Sequence, residues 1–355
     1  MENPSTMTGS CAHCQSPATK KCSGCLGAPI YDEVVAETTF YCSSTCQKQG
    51  WEQHKVKCKQ LQARKSLSRA ATLLQDILYR IRLRAHTNKS LTAHMDGSRV
   101  ILGDVHEDEL DDYRPVGPLS IEVKGGDQRV WDAIVMMSAC TEAVLFLFLF
   151  VRDILSNLCS RIDELGITVL NTPLSIERAD GIPITCTENH HIYRLMLKNG
   201  EVWAFDPSGA QYGFSEYLCP WADYAKQRLG GVHHEANLGY YRSEMRRCYY
   251  HCDARYLTIW RMELVDLASA LEEKIAILLQ AYGGSLQSLL RGSDAMFERA
   301  KDELLNQLAI CVDLCVDETY NPERVTTRSL LVDCQMLLWE VFAVRTGDGQ
   351  IHSEC

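Results

Sequence analysis

The sequence predicts a helix-rich α+β domain, with a small antiparallel sheet, behind a compact metal-braced module, and three observations carry that reading. Seven of the 17 cysteines crowd into residues 11–58 in close pairs, with His54 among them. One β-hairpin signal stands in mid-chain, where two apolar stretches flank Asn199-Gly200. Beyond Tyr240 the apolar residues recur at three- and four-residue steps, the period of a buried helix face.

The N-terminal spacing reads Cys11-x2-Cys14-x7-Cys22-x2-Cys25-x16-Cys42-x3-Cys46-x7-His54-x3-Cys58. A Cys-x2-Cys knuckle turns both sulfurs towards one ion at about 2.3 Å, and eight N/S donors fill two tetrahedral zinc sites. Ser23-Gly24 supplies a small, turn-prone link inside the second knuckle. Cys42 with Cys46, and His54 with Cys58, stand four apart, the spacing that shares a helix face. This half is expected to be helical, the first half knuckles and short strands. Disulfides are the competing reading, disfavoured because no secretory signal precedes the cysteines and cytosolic thiols stay reduced. Spacing alone leaves open which four donors share an ion.

The pattern, with Tyr41-Cys42, Cys46-Gln47, Trp51 and His54-Lys55-x-x-Cys58, resembles a MYND-type zinc finger over residues 11–58. The resemblance implies a cross-braced finger with interleaved sites: Cys11, Cys14, Cys42 and Cys46 on one zinc, and Cys22, Cys25, His54 and Cys58 on the other. It also implies recruitment of protein partners through short proline-containing peptides, with Gln47 and Trp51 at the positions that line the groove. Trp51 offers an aromatic platform, Gln47 hydrogen bonds to an extended backbone; alternatively Trp51 simply packs the finger's small core. The long run from Leu26 to Tyr41 is expected to form a loop or short hairpin.

Some fifty residues bury too little apolar surface to offset their chain entropy, so both zinc ions are expected to be structural and the finger to unfold without them. With every donor supplied by protein, no position remains for a catalytic water.

The chain's formal charge is −10; residues 1–65 hold eight Lys/Arg against five Asp/Glu, +3, which leaves −13 on the remainder. Seven thiolates against two zinc ions remove the finger's apparent basicity, which argues against a nucleic-acid ligand. The apolar run Ala143–Val151 has nine residues, far short of the ~20 that span a bilayer. With no signal segment either, the expected place is the cytoplasm or nucleus, with no membrane partner.

In order along the chain, the finger is expected to occupy residues 1–62 and the second domain residues 63–355. A helix over 68–85 opens the second domain, on Ala71, Leu74, Ile77, Leu78 and Ile81. Residues 87–128 turn polar and acidic and predict loops or short strands, with the 106–112 acidic run solvated. A helix is predicted over 130–165. Strands over 191–198 and 201–206 follow, joined by a type I′ turn at Asn199-Gly200. A loop with short helices is expected across 220–239, then helices over 242–282, 286–315 and 327–344, broken at Gly283-Gly284 and Asn321-Pro322.

The order Cys140, His190 or His191, then Asp206 invites comparison with a nucleophile, a base and an orienting acid. The arrangement His191-hairpin-Trp203-x-x-Asp206-Pro207 is faintly similar to papain-like and transglutaminase-like folds over residues 140–206, which would make the domain a cysteine-dependent hydrolase or transferase using Cys140, His191 and Asp206. A helix beginning near Cys140 would add its N-terminal dipole. Against it stand ten cysteines outside the finger, buried inert cysteine being the commoner fate, and no Gly or Trp beside Cys140. A SET methyltransferase, also found joined to MYND fingers, would need a Gly-Glu-Glu-like segment and a later zinc site that the chain lacks; Asn189-His190-His191 is only a superficial likeness. His233-His234 and His251 beside Cys252 are read as ordinary surface or core side chains. A zinc-binding interaction protein is therefore the leading expectation, with enzymatic activity the alternative.

Overall fold

The computed structural model describes residues 9–31, 38–86, 90–103, 116–251 and 259–320. In the finger, β1 (Gly9–Ser10) pairs with β2 (Pro17–Ala18), and β3 (Lys20–Lys21) with β4 (Phe40–Tyr41). Part of the Leu26–Tyr41 run, residues 32–37, lies outside the described residues. Helix α1 (Ser44–Gln49) starts at Ser43, whose Oγ accepts the Cys46 N–H at 3.1 Å, a side-chain N-cap. After Gly50 comes α2 (Trp51–Arg84), which opens in the finger and runs without interruption into the larger domain. The helix expected over 68–85 is thus only the second half of a longer one, because no Gly or Pro interrupts the chain between Gly50 and Ala85. Residue 62, the expected domain boundary, falls inside it.

Residues 90–123 form β5 (Ser90–Asp96), β6 (Arg99–Leu102) and β7 (Ser120–Val123), with 104–115, including the acidic run, outside the described residues. With β9 (Ser175–Arg178) they make a sheet in the order β7-β5-β6-β9, antiparallel at β5-β6 and parallel at both outer pairs. Helix α3 (Gln128–Val135) covers it with Val130, Ala133 and Ile134.

The helix predicted over 130–165 is instead α3, α4 (Cys140–Phe146), α5 (Phe148–Leu155) and then a strand, β8 (Cys159–Val169). Ser138, at φ 57°, breaks the first from the second. β8 has pairing partners on both sides, and that tertiary setting overrides a local pattern compatible with helix. It is the centre of an antiparallel sheet in the order β12-β11-β10-β8-β13. The members are β10 (His190–Leu197), β11 (Val202–Phe205), β12 (Leu218–Pro220) and β13 (Leu229–Asn237), the last two separated by α6 (Trp221–Gln227). β13 falls where a loop with short helices is expected, because its face is largely exposed and Gly230-Gly231 obscures any alternation.

The predicted hairpin forms, but its turn differs. Leu197 pairs with Glu201 around a three-residue loop, and Gly200 alone takes positive φ, 88°. That is a type I turn with a glycine bulge rather than type I′.

Beyond the sheet, α7 (Tyr240–His251), α8 (Ile259–Ala281) and α9 (Asp294–Tyr320) complete the helical layer; the helix predicted over 327–344 lies outside the described residues. Gly283 and Gly284, both at positive φ, end α8 as a C-terminal glycine does. Leu67, Leu74, Leu78 and Ile81 of α2 pack with α8, α9 and one sheet face bearing Tyr193, Leu195, Trp203 and Phe205. The opposite face, with Leu165, Ile167, Ile192 and Ala204, is covered by Tyr212 and Tyr224. Among the described residues no helix is long and apolar enough to cross a membrane.

Candidate metal centres and a buried polar cluster

Two sets of donors converge in the finger: Cys11, Cys14, Cys42 and Cys46, and Cys22, Cys25, His54 and Cys58, each with its donor atoms within 4.8 Å of one another. The sites interleave, so each zinc would tie the knuckle half to the helical half. Zinc–sulfur bonds of about 2.3 Å in a tetrahedron place sulfurs ~3.8 Å apart. The Sγ pairs lie at 3.6 Å (Cys14–Cys42), 3.4 Å (Cys42–Cys46), 3.8 Å (Cys14–Cys46) and 3.8 Å (Cys22–Cys58). His54 Nε2 stands 3.6 Å from Cys25 Sγ. These edges fit two zinc ions and exceed by far the ~2.05 Å of a disulfide.

The surroundings hold the donors in place. His54 lies on the first turns of α2 with its Nδ1 3.5 Å from Thr39 Oγ1, and burial, aided by the Lys57 charge, keeps its pKa below the usual value, favouring the neutral ring that ligates. Gln62 Nε2 donates to Cys58 Sγ at 3.5 Å and Gln47 Nε2 to Cys22 Sγ at 3.9 Å. Gln47 therefore braces a ligand as well as standing near the surface. Trp51 sets its ring edge-on to His54 with centroids 6.2 Å apart, yet keeps 38% of its surface exposed. It packs the module and still shows a face to solvent.

The second cluster lies where α4 meets β10. His190 is wholly buried, and its Nε2 donates to Asp206 Oδ1 at 2.8 Å; Tyr224 Oη donates to Asp206 Oδ2 at 2.9 Å. Tyr212 meets the His190 ring edge-on at 4.9 Å. The other ring nitrogen, Nδ1, is buried and has no hydrogen-bond partner among the described residues. Cys140 opens α4 on this side, half-buried, with Sγ 3.7 Å from the carbonyl oxygen of Asn189, the residue before His190. Burial raises the Cys140 pKa, but the neighbouring imidazoles of His190 and His191 outweigh it and hold the thiol well below its usual value. Burial lowers the His190 pKa, but Asp206 and then Cys140 lift it to about 10.

The sequence paired Asp206 with His191; the structure pairs it with His190. The Nδ1 of His191 lies 3.3 Å from Thr141 Oγ1, and its ring packs on Tyr241 at 4.2 Å. The expected helix-dipole contribution at Cys140 also shrinks, because α4 is only seven residues long. Three further groups fix this loop and were not legible beforehand. Arg82 of α2, 1% exposed, pairs with buried Glu142 and donates to the carbonyls of Val135 (2.9 Å) and Met137 (2.8 Å). Gln211 Oε1 accepts the Ser138 N–H at 3.1 Å and leaves Nε2 buried without a partner among the described residues. His233 and His234 form no metal cluster among the described residues; His233 Nε2 meets Thr168 Oγ1 at 2.5 Å and His234 stacks on Tyr240.

Among known families, the model described as the MYND finger matches residues 11–58. No curated protein matches the chain, and no solved structure does.

Proposed function

Because residues 11–58 form a MYND finger, a protein-interaction module, we propose that the finger holds a short, extended, proline-containing segment of a partner protein against Trp51 and Gln47. The observation that carries this reading is the half-exposed Trp51 ring beside a filled ligand set. With four protein donors at each centre the zinc ions are structural, so the finger works through its surface and not through metal chemistry. An aromatic face beside an amide suits a proline ring and an extended backbone, both of which bind with little ordering cost. Seven reduced cysteines are needed to hold the metal, which fits a reducing, intracellular compartment.

Trp51→Ala tests it directly. The variant is expected to keep two zinc ions per chain by elemental analysis while its affinity for proline-containing peptides, measured by calorimetry, falls about tenfold or more. Peptide binding that survives in a zinc-loaded Trp51→Ala protein would overturn the assignment.

A further inference from the structure

We propose that Cys140, His190 and Asp206 form a nucleophilic thiol site in the larger domain, which accepts an acyl group from an amide or ester. Cys140 is the nucleophile, His190 the acid and base, and Asp206 a positioning residue that acts through the imidazole.

The geometry separates this cluster from an ordinary buried polar network. Asp206 has a donor on each oxygen, His190 on one and Tyr224 on the other. His190 is bonded on one nitrogen only: among the described residues its buried Nδ1 has no hydrogen-bond partner, and Cys140, whose Sγ lies 3.7 Å from the carbonyl oxygen of the preceding Asn189, acts on its titration. A purely structural histidine at this depth would be expected to have both nitrogens bonded, since an unmatched buried donor is costly. In nucleophilic sites, by contrast, the base often stands slightly out of bonding geometry until substrate arrives. Gln211 repeats the pattern, with Oε1 tied to Ser138 two residues before the thiol and Nε2 left over, a donor suited to a substrate carbonyl oxygen.

The approach to the thiol is open as well. Ser138, Glu188 and Asn189 are exposed around the half-buried Cys140, and Ser138 holds its strained φ of 57° because Arg82 and Gln211 clamp the loop from within. Thr141, the residue after the thiol, meets His191, and from there Tyr241, His234 and the exposed Tyr240 continue as a ring-lined surface. That surface fits the planar or apolar part of an acyl donor.

The chemistry balances. With the pair as thiolate and imidazolium, Sγ attacks the carbonyl carbon; a C–S bond forms, the C–N or C–O bond breaks, and the Nδ1 proton passes to the leaving nitrogen or oxygen. Water then gives a proton to Nδ1 and its oxygen to the carbonyl carbon, and the C–S bond breaks to return the thiolate. An amine in place of water gives acyl transfer.

The test uses the zinc-loaded full chain and iodoacetamide, with alkylation followed at Cys140 by peptide mass spectrometry from about pH 5 to about pH 9. The wild-type rate is expected to stay nearly flat down to about pH 6, where an ordinary thiol of pKa about 8.5 has almost ceased to react. His190→Gln should lower the rate at about pH 6 by about 10- to 100-fold, and Asp206→Asn should shift the profile the same way by less. p-Nitrophenyl acetate should acetylate Cys140 and turn over, with turnover lost in Cys140→Ser. A wild-type profile rising only above about pH 8 would overturn the proposal without any variant, and so would acetylation that bypasses Cys140.

Discussion

His190 shows how much one residue's direction decides. A two-residue turn at Asn199-Gly200 would pair Tyr193 with Asp206 and place His191 on the aspartate's face of the sheet. The three-residue loop pairs Tyr193 with Phe205, and a one-residue slip turns every side chain over, so His190 meets Asp206. The sequence held the hairpin but not the bulge, and the choice of histidine followed from the bulge. The finger ligands were legible because their spacing is local, whereas Gln211 and Arg82 reach the thiol loop only through tertiary contacts. The His190 pairing also makes a stability prediction. Its pKa of about 10 in the fold exceeds the ~6.5 of an unfolded histidine, so the pairing stabilises fully below about pH 6.5, fades as pH rises and is lost above about pH 10. Urea titrations of His190→Gln against wild type should therefore show the largest deficit near pH 6 and a shrinking one towards pH 10. A deficit independent of pH would mean that the imidazolium contributes nothing.

Among the elements, α2 joins two kinds of stability. Its first turns are held by His54 and Cys58 on zinc, its later turns by Leu67, Leu74, Ile77 and Ile81 in the core. Chelation should thus strip hydrogen-exchange protection from residues 9–58 while residues 67–81 keep theirs; simultaneous loss over both would show that the helix unfolds as one unit. The apolar period marks the second half of α2 and the four-residue spacing of His54 and Cys58 marks its first turns; what neither pattern carries is that the two form one continuous helix. The same limit explains β8: Cys159–Val169 is buried by strands that arrive later in the chain, β10 and β13.

At the scale of the molecule, the finger region and the sheet meet, among the described residues, through part-buried contacts around Tyr31 and Arg64. Arg64 Nη2 pairs with Glu201 Oε1 at 2.8 Å and its guanidinium lies over the Tyr31 ring at 5.3 Å. Tyr31 in turn accepts the Val202 N–H at 3.1 Å and packs on Trp203 at 5.2 Å. Arg64→Ala leaves Glu201 without its cation, and is expected to cost about 1–3 kcal/mol in chemical denaturation while zinc stays at two per chain. Zinc loss in that variant would show the metal sites to depend on the core. The fold class was readable from composition and period; the docking of the two parts was not, since it rests on single residues, Tyr31 and Arg64, with no pattern around them.

Helix α2 is also a ruler. From His54, which helps hold the metal, to Arg82, which clamps the cysteine loop, 28 helical steps measure about 42 Å. A tether of about 13 extended residues covers that span, so a protein held at the proposed finger groove would have its flanking chain kept at high local concentration out to the cysteine loop. Reach, set by the length of a single rigid segment, would then sort those flanking groups before any pocket tests their shape.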